Sequence, residues 1–294
     1  MSSHTPAPEA QRAVGSRLSR RAWLATAAAG TLSVAAGVYA VGIEPRRLTI
    51  TRHAVGGDGG PVLRLVQLSD LHLQAVDRHI ERIAEAVQDL QPDVLVLTGD
   101  VIDREPHAPL LSDLLTLLPK AAHRLAILGN SEHWARLDLA DVRDRYERAD
   151  WTLLQNATFR LVHAGAPVQV TGLDDLVGGQ PDTGRALADA TDTPNHLLLA
   201  HCPVHRDAFL VDVARMNARA LIPSFMLGGH THGGQLALGD WAPMRPPGSG
   251  RYVAGWYRDG SMPLYVSRGL GTSLVPARVG APPEIAVFDW TLSG

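Results

Sequence analysis

The chain has 294 residues with 27 Lys and Arg against 30 Asp and Glu, a formal net charge of −3. That size suits one medium-large globular domain or two small ones, and the charge excludes the basic footprint of a nucleic-acid binder. A single cysteine, Cys202, excludes an intramolecular disulfide and a thiolate zinc cluster, and leaves the 13 histidines as the residues whose placement matters.

Residues 1–16 are polar and rich in Ala, Pro and Ser, the composition of a disordered segment. Arg20 and Arg21 then precede an uncharged run, residues 22–43, long enough to cross a bilayer but only mildly hydrophobic. Paired arginines before such a run, with Trp23 inside it, resemble a twin-arginine export signal. A plain membrane anchor and an ordinary secretory signal are the alternatives. Residues 38–40, "VYA", end at an acceptable cleavage site, and an uncleaved anchor is an equal reading. The expected organisation is a leader over residues 1–44 and a folded domain over 45–294. The expected partners are the twin-arginine export machinery and, through the N-terminal segment, the membrane. The expected location is the periplasm or the outer face of the cytoplasmic membrane.

From Pro61 a strand-then-helix rhythm begins. "VLRLVQLSD" is β-rich and ends at Asp70, and "HIERIAEAVQDL" places Ile80, Ile83, Ala84, Val87 and Leu90 at helical spacing. "DVLVLTGD" reads as a buried strand, "PLLSDLLTLL" as a helix with Pro109 in its first turn, and "RLAILGN" as a second buried strand ending at Asn130. "DLADVRDRYERA" is a charged surface helix. "TFRLVH" and "PVQVTGLDD" form a hairpin about Ala164–Gly165. "HLLLAH" is a strand ending at His201, followed by a helix from about Val204, and "SFMLGGH" is a strand ending at His230. "QLALG", "PLYVSRG" and "EIAVFDW" are further strands, and Pro243–Gly250 is a surface loop.

Asp70, Asp100, Asn130, His201 and His230 each follow an apolar strand-like run. In open α/β sheets, ligands bind outside the carboxyl ends of the strands, so these five side chains are candidates to converge. His72 lies two residues after Asp70, and His232 two after His230, a spacing that faces both members of each pair the same way on extended chain. Asp103 lies a turn beyond Asp100. A mixed set of carboxylate, imidazole and amide suits borderline divalent metals such as Mn, Fe or Zn. The glycines around "GGHTHGGQ" fit a backbone shaped to present two rings to something small.

The ordered set "SDLHL", "TGD", "GN", "AHCP" and "GGHTHGGQ" resembles the calcineurin-like metallophosphoesterase family, from about Leu63 to the C-terminus. Its bacterial exported or membrane-anchored phosphodiesterase branch is matched by "IEPRRL", "TGLDD", "YVSRGLGTS" and "PPEIAVF". The resemblance implies an α/β fold, a four-layer α-β-β-α sandwich of two mixed sheets with a di-metal site at the strand C-terminal edge. It implies two divalent ions, one held by Asp70, His72 and His232 and the other by Asn130, His201 and His230, with Asp100 bridging. It further implies attack of a metal-bridged hydroxide on a phosphodiester or pyrophosphate, carried by a small-molecule, lipid-linked or sugar-linked substrate.

One position departs from the family. Its third motif is usually Gly-Asn-His, and here Ser131 stands where that histidine, the general acid, is expected. Three readings stay open. His133 takes the role as general acid, the substrate's leaving group needs no acid, or the site binds phosphate with little or no turnover. Glu132 and Trp134 keep the family's acidic and aromatic positions. Arg268 and His205 are candidate substrate contacts, and Arg278 is either structural or a phosphate clamp. Asp174 and Asp175 are expected to cap a turn, and Cys202 to pack rather than react.

Overall fold

The computed structural model describes residue 31, residues 33–239 and residues 241–293. The chain divides into two compact units, Met1–Tyr39 and Ala40–Gly294. In the first, residues 33–38 are helical, while Arg20, Arg21 and Trp23 lie outside the described residues. Among the described residues no helix is long and apolar enough to cross a membrane.

The second unit holds two six-stranded sheets. In the first sheet, β1 (Thr49–Gly56) runs parallel to β12 (Glu284–Thr291), which is antiparallel to β2 (Val62–Leu68). Then β3 (Val94–Thr98), β4 (His123–Ile127) and the two-residue β5 (Thr152–Leu153) follow in parallel. In the second, β6 (Ala157–His163) and β7 (Ala166–Gly172) form an antiparallel hairpin. Next come β8 (His196–Leu199), β9 (Phe225–Gly228) and β11 (Leu264–Val266), parallel to β7, with β10 (Gly255–Tyr257) antiparallel at the edge. Both sheets are mixed.

Three buried layers separate the elements. Between the sheets, Leu63, Leu65, Val96 and Phe288 pack with Leu197 and Leu227. Outside the first sheet lie α1 (Arg78–Leu90), α2 (Ala108–Leu117) and α4 (Leu139–Arg148), whose Ile83, Leu114 and Val142 meet Leu95 and Val287. Outside the second lies α6 (His205–Arg215), with Phe209 and Val213 against Leu198 and Met226, beside the single turn α5 (Thr183–Ala186). The order is helix, sheet, sheet, helix, as expected. Strands buried on both faces read as continuous apolar runs, which is why β3, β8 and β9 were visible as such.

The helices begin where their caps dictate. Asp77 accepts from the amides of His79 and Ile80 at 2.9 and 3.2 Å, and Asp138 accepts from that of Ala140 at 2.9 Å. Two expectations shift. β1, an edge strand alternating half-buried with exposed residues, carries too little apolar signal to be anticipated. "QLALG" is not a strand but a pair of isolated bridges, Leu236 to Val279 and Leu238 to Trp241, because Gly234 and Gln235 take positive φ and turn the chain.

Candidate metal centre

The turns that follow β2, β3, β8 and β9 carry the candidate ligands, and the α3 turn (Asn130–Trp134) follows β4 closely. These turns are laced to one another by backbone. Asp70 N–H donates to Gly99 O at 3.0 Å, His72 N–H to Asp100 O at 3.0 Å, and His230 N–H to Asp70 Oδ1 at 2.9 Å. Ser131 N–H donates to Asp100 Oδ1 at 2.8 Å. Five of the seven candidates, Asp70, His72, Asp100, His230 and His232, sit at φ between 45° and 72°. Left-handed backbone costs a non-glycine residue about 1 kcal/mol or more. Glycine supplies close approach beside them. A Cβ on Gly229 would strike Ser69 Oγ and Asp70 Oδ2, and one on Gly129 would strike Asp100 Oδ1 and His201 Nε2.

The donors fall into two adjacent buried groups, Asp70 with His72 and His232, and Asp100 with His201 and His230, each with ligand atoms within 4.8 Å of one another. In the first, the Nε2 atoms of His72 and His232 face each other at 3.1 Å, and Asp70 Oδ1 is 3.5 Å from His232 Nε2. Asp100 reaches both groups, with Oδ2 3.6 Å from His72 Nε2 and Oδ1 3.4 Å from His201 Nε2. Asp70 Oδ2, Asn130 Oδ1 and His201 Nε2 are buried with no hydrogen-bond partner. Orphaned buried polar atoms are costly, and a cluster of them with lone pairs converging is what cations relieve. The rings are oriented from behind. His201 Nδ1–H donates to Thr98 O at 2.8 Å, and His230 Nε2–H to Pro247 O at 2.7 Å, which leaves the other nitrogen of each ring as the acceptor. His72 Nδ1 faces Asp103 at 3.9 Å. Burial depresses His201, but the Asp100 charge wins and raises it, so a proton and a cation compete for the same nitrogen. Burial, with His72 and Arg278 nearby, holds His232 well below the usual imidazole range. The two groups fit a di-metal site.

A calcineurin-like phosphoesterase family model matches residues 63–234, more than half of the chain. The chain is a calcineurin-like phosphoesterase. It is similar over 92% of its length to the uncharacterized metallophosphoesterase YkuE of Bacillus subtilis, at 32% identity with 97% of that protein covered. It is also similar to the phosphodiesterase YaeI of Escherichia coli, at 28% identity over 92% of this chain and 99% of that one. A third relative is the UDP-2,3-diacylglucosamine pyrophosphatase LpxG of Chlamydia trachomatis, at 26% identity over 85% and 92%. The protein is thus a metallophosphoesterase, a hydrolase of phosphoric esters.

In this phosphoesterase the turn after β4 is held by Glu132. Its carboxylate accepts from the amides of Asp100, Val101, Ile102 and Gly129 at 3.1, 2.6, 3.1 and 2.8 Å. Burial and the neighbouring Asp100 charge nonetheless push it up to about 7. His133 Nε2 meets Asp174 Oδ1 at 2.8 Å. The other oxygen of Asp174 accepts from Gln155 Nε2 and the Gln180 amide at 3.1 and 2.9 Å. That pairing raises His133 against its burial. Burial works to raise Asp174, but the His133 ring and the two amides hold it at about 2. Asp175, by contrast, caps a turn through the amides of Val177 and Gly178, as expected.

A cavity of 420 Å³ opens onto Asp100, Asn130, His230 and His232, and is also lined by Trp134 and Leu274. Exposed Arg245 lines it too, a residue whose loop position carried no sequence signal. The other candidates do not line this cavity. His205 is 2% exposed, depressed by burial to about 4, and does not line the cavity. Arg268 pairs with Glu284 at 3.3 Å and donates to Thr49 Oγ1 at 3.1 Å. Arg278 is fully buried, bound to the carbonyls of Arg268, Gly271 and Ala281 and 3.4 Å from His232 Nδ1 through Nη2, so it braces the loop behind His232 and does not meet solvent. Cys202 donates to Asp175 at 3.1 Å, and burial raises its thiol, leaving no thiolate to react.

Proposed function

We propose that this phosphoesterase hydrolyses a phosphodiester or pyrophosphate at a two-metal centre on the cell envelope. The observation that carries the reading is Asp100 reaching both donor groups at once. Asp70, His72 and His232 would hold one ion, Asn130, His201 and His230 the other, with Asp100 shared. When bound, two divalent ions of the Mn, Fe or Zn kind make water nucleophilic near neutral pH and offset phosphoryl charge. The chain's own residues do the rest. Arg245 offers a guanidinium to a substrate oxygen at the cavity. His133, kept basic by Asp174, carries a proton for the leaving oxygen in place of the residue that Ser131 replaces. The phosphodiesterase and pyrophosphatase named among the relatives support the bond class. The paired Arg20 and Arg21 support the twin-arginine route and the envelope location.

A second reading, a site that binds phosphate without turnover, rests on Ser131 alone. One assay separates them. The full chain is stripped of metal and given bis-p-nitrophenyl phosphate or p-nitrophenyl phosphate with Mn, Zn, Fe or none. Metal-restored turnover that prefers the diester is expected, with a loss of more than about a hundredfold in Asp100→Asn. Absence of turnover with two ions bound would favour the binding reading, and full activity of Asp100→Asn would sink the two-metal one.

A further inference from the structure

The cavity mouth is apolar beyond anything a phosphoryl group requires. Trp134 and Leu274, which line it, are 59% and 93% exposed, and Leu238 and Trp241, in the turn between its lining residues Gln235 and Pro243, are 67% and 63% exposed. These loops form one rim. Gln235 Nε2 donates to Val275 O and Gln235 Oε1 accepts from Ser273 N–H, both at 2.8 Å, while the backbones of Leu238 and Trp241 pair with each other. Leu274 also sits at φ 61°. A leucine with neither burial nor an easy backbone is a residue held out for something to cover it.

The same loop receives the end of the uncharged N-terminal run. Arg278 N–H donates to Ala40 O, and Ala281 N–H to Glu44 Oε1, both at 2.8 Å. Val41 and Ile43, the last apolar residues of that run, are 54% and 53% exposed. Thus the exposed apolar residues Val41 and Ile43 lie between two anchors, Ala40 and Glu44, on the loop that displays Leu274. Tryptophan at the rim matches an interface between hydrocarbon and water, and exposed Arg245 among Pro243, Met244 and Pro246 supplies a cation for an anionic headgroup.

We propose that this rim seats on the hydrocarbon of a lipid bilayer, and that the phosphoester reaching the metal centre is carried on a lipid tail. The inference rests on the hydrolase reading above. It is tested with the full chain and two soluble p-nitrophenyl phosphodiesters, one with a methyl and one with an octyl group, alongside calorimetric binding of methyl phosphate and octyl phosphate. Burying methylenes against the rim is expected to raise kcat/KM and affinity for the octyl compounds by at least about tenfold. Leu274→Asp with Trp241→Asp is expected to bring both octyl-to-methyl ratios to about one, and Leu274→Ser alone to lower them. Both side chains are exposed, so the core is not disturbed. Equal behaviour of octyl and methyl compounds in the native chain overturns the proposal and favours a protein partner at the rim. Selective octyl phosphate binding without turnover of either diester leaves the lipid surface standing and defeats the hydrolase reading.

Discussion

His133 is held 2.8 Å from Asp174, and the consequence is a basic imidazole on the turn that carries Asn130. Its folded pKa lies above its unfolded value, so the stability it contributes is complete below the unfolded pKa and is lost as pH rises through the folded one. Asp174 is the opposite case. Held at about 2, it contributes stability above its unfolded pKa that is lost as pH falls toward 2. Asp174→Asn removes the charge that raises His133. If His133 donates the proton, the alkaline limb of the kcat/KM profile moves to lower pH in that variant, and esters with poor leaving groups suffer most, by about a hundredfold. An unmoved limb would assign the pair to structure alone. Spacing could not have revealed this contact, since the partners are 41 residues apart and local pattern carries no information about so distant a neighbour.

Among the elements, the turns after the strands explain what the sequence disclosed. His201 and His230 were legible because the fully buried strands β8 and β9 end in apolar runs whose next polar residue marks the sheet edge, while Asp70 and Asp100 follow β2 and β3 within two residues. Their sorting into two groups came from the family resemblance and not from spacing, because it depends on which strands are neighbours: β9 lies beside β8 in one sheet, and β3 beside β2 in the other. The five-residue helix α3 shows the same limit. Glu132 was visible as a family-like acid, but its four amide partners, three of them on the loop after β3, are a tertiary fact. Glu132→Ala would leave those buried donors unpaired, and a loss of at least about 3 kcal/mol in urea unfolding is expected. Glu132→Gln, which keeps a carbonyl acceptor, is expected to lose less. Equal stability of Glu132→Ala and the native chain would refute the bracing role.

At the scale of the whole molecule, the centre exists only where two sheets meet in register. Asp70 from the first accepts the amide of His230 from the second, so an error in packing between the sheets is an error in the site. Delivery of the whole chain is the other property set at this scale. Under the proposed twin-arginine route, Arg20→Lys with Arg21→Lys is expected to leave the protein in the cytoplasmic fraction; export that persists would mean an ordinary secretory signal. The five candidate ligand positions at positive φ have an evolutionary consequence. Each holds a side chain on a backbone that glycine would adopt more easily, so for folding alone the ligand is the inferior choice. In metal-free protein, His72→Gly is expected to melt above His72→Ala by a few degrees, about 1 kcal/mol, reversing the usual order of the two residues. A lineage released from selection for turnover would therefore gain stability by drifting to glycine at these sites, and such glycines in a descendant would mark a retired enzyme.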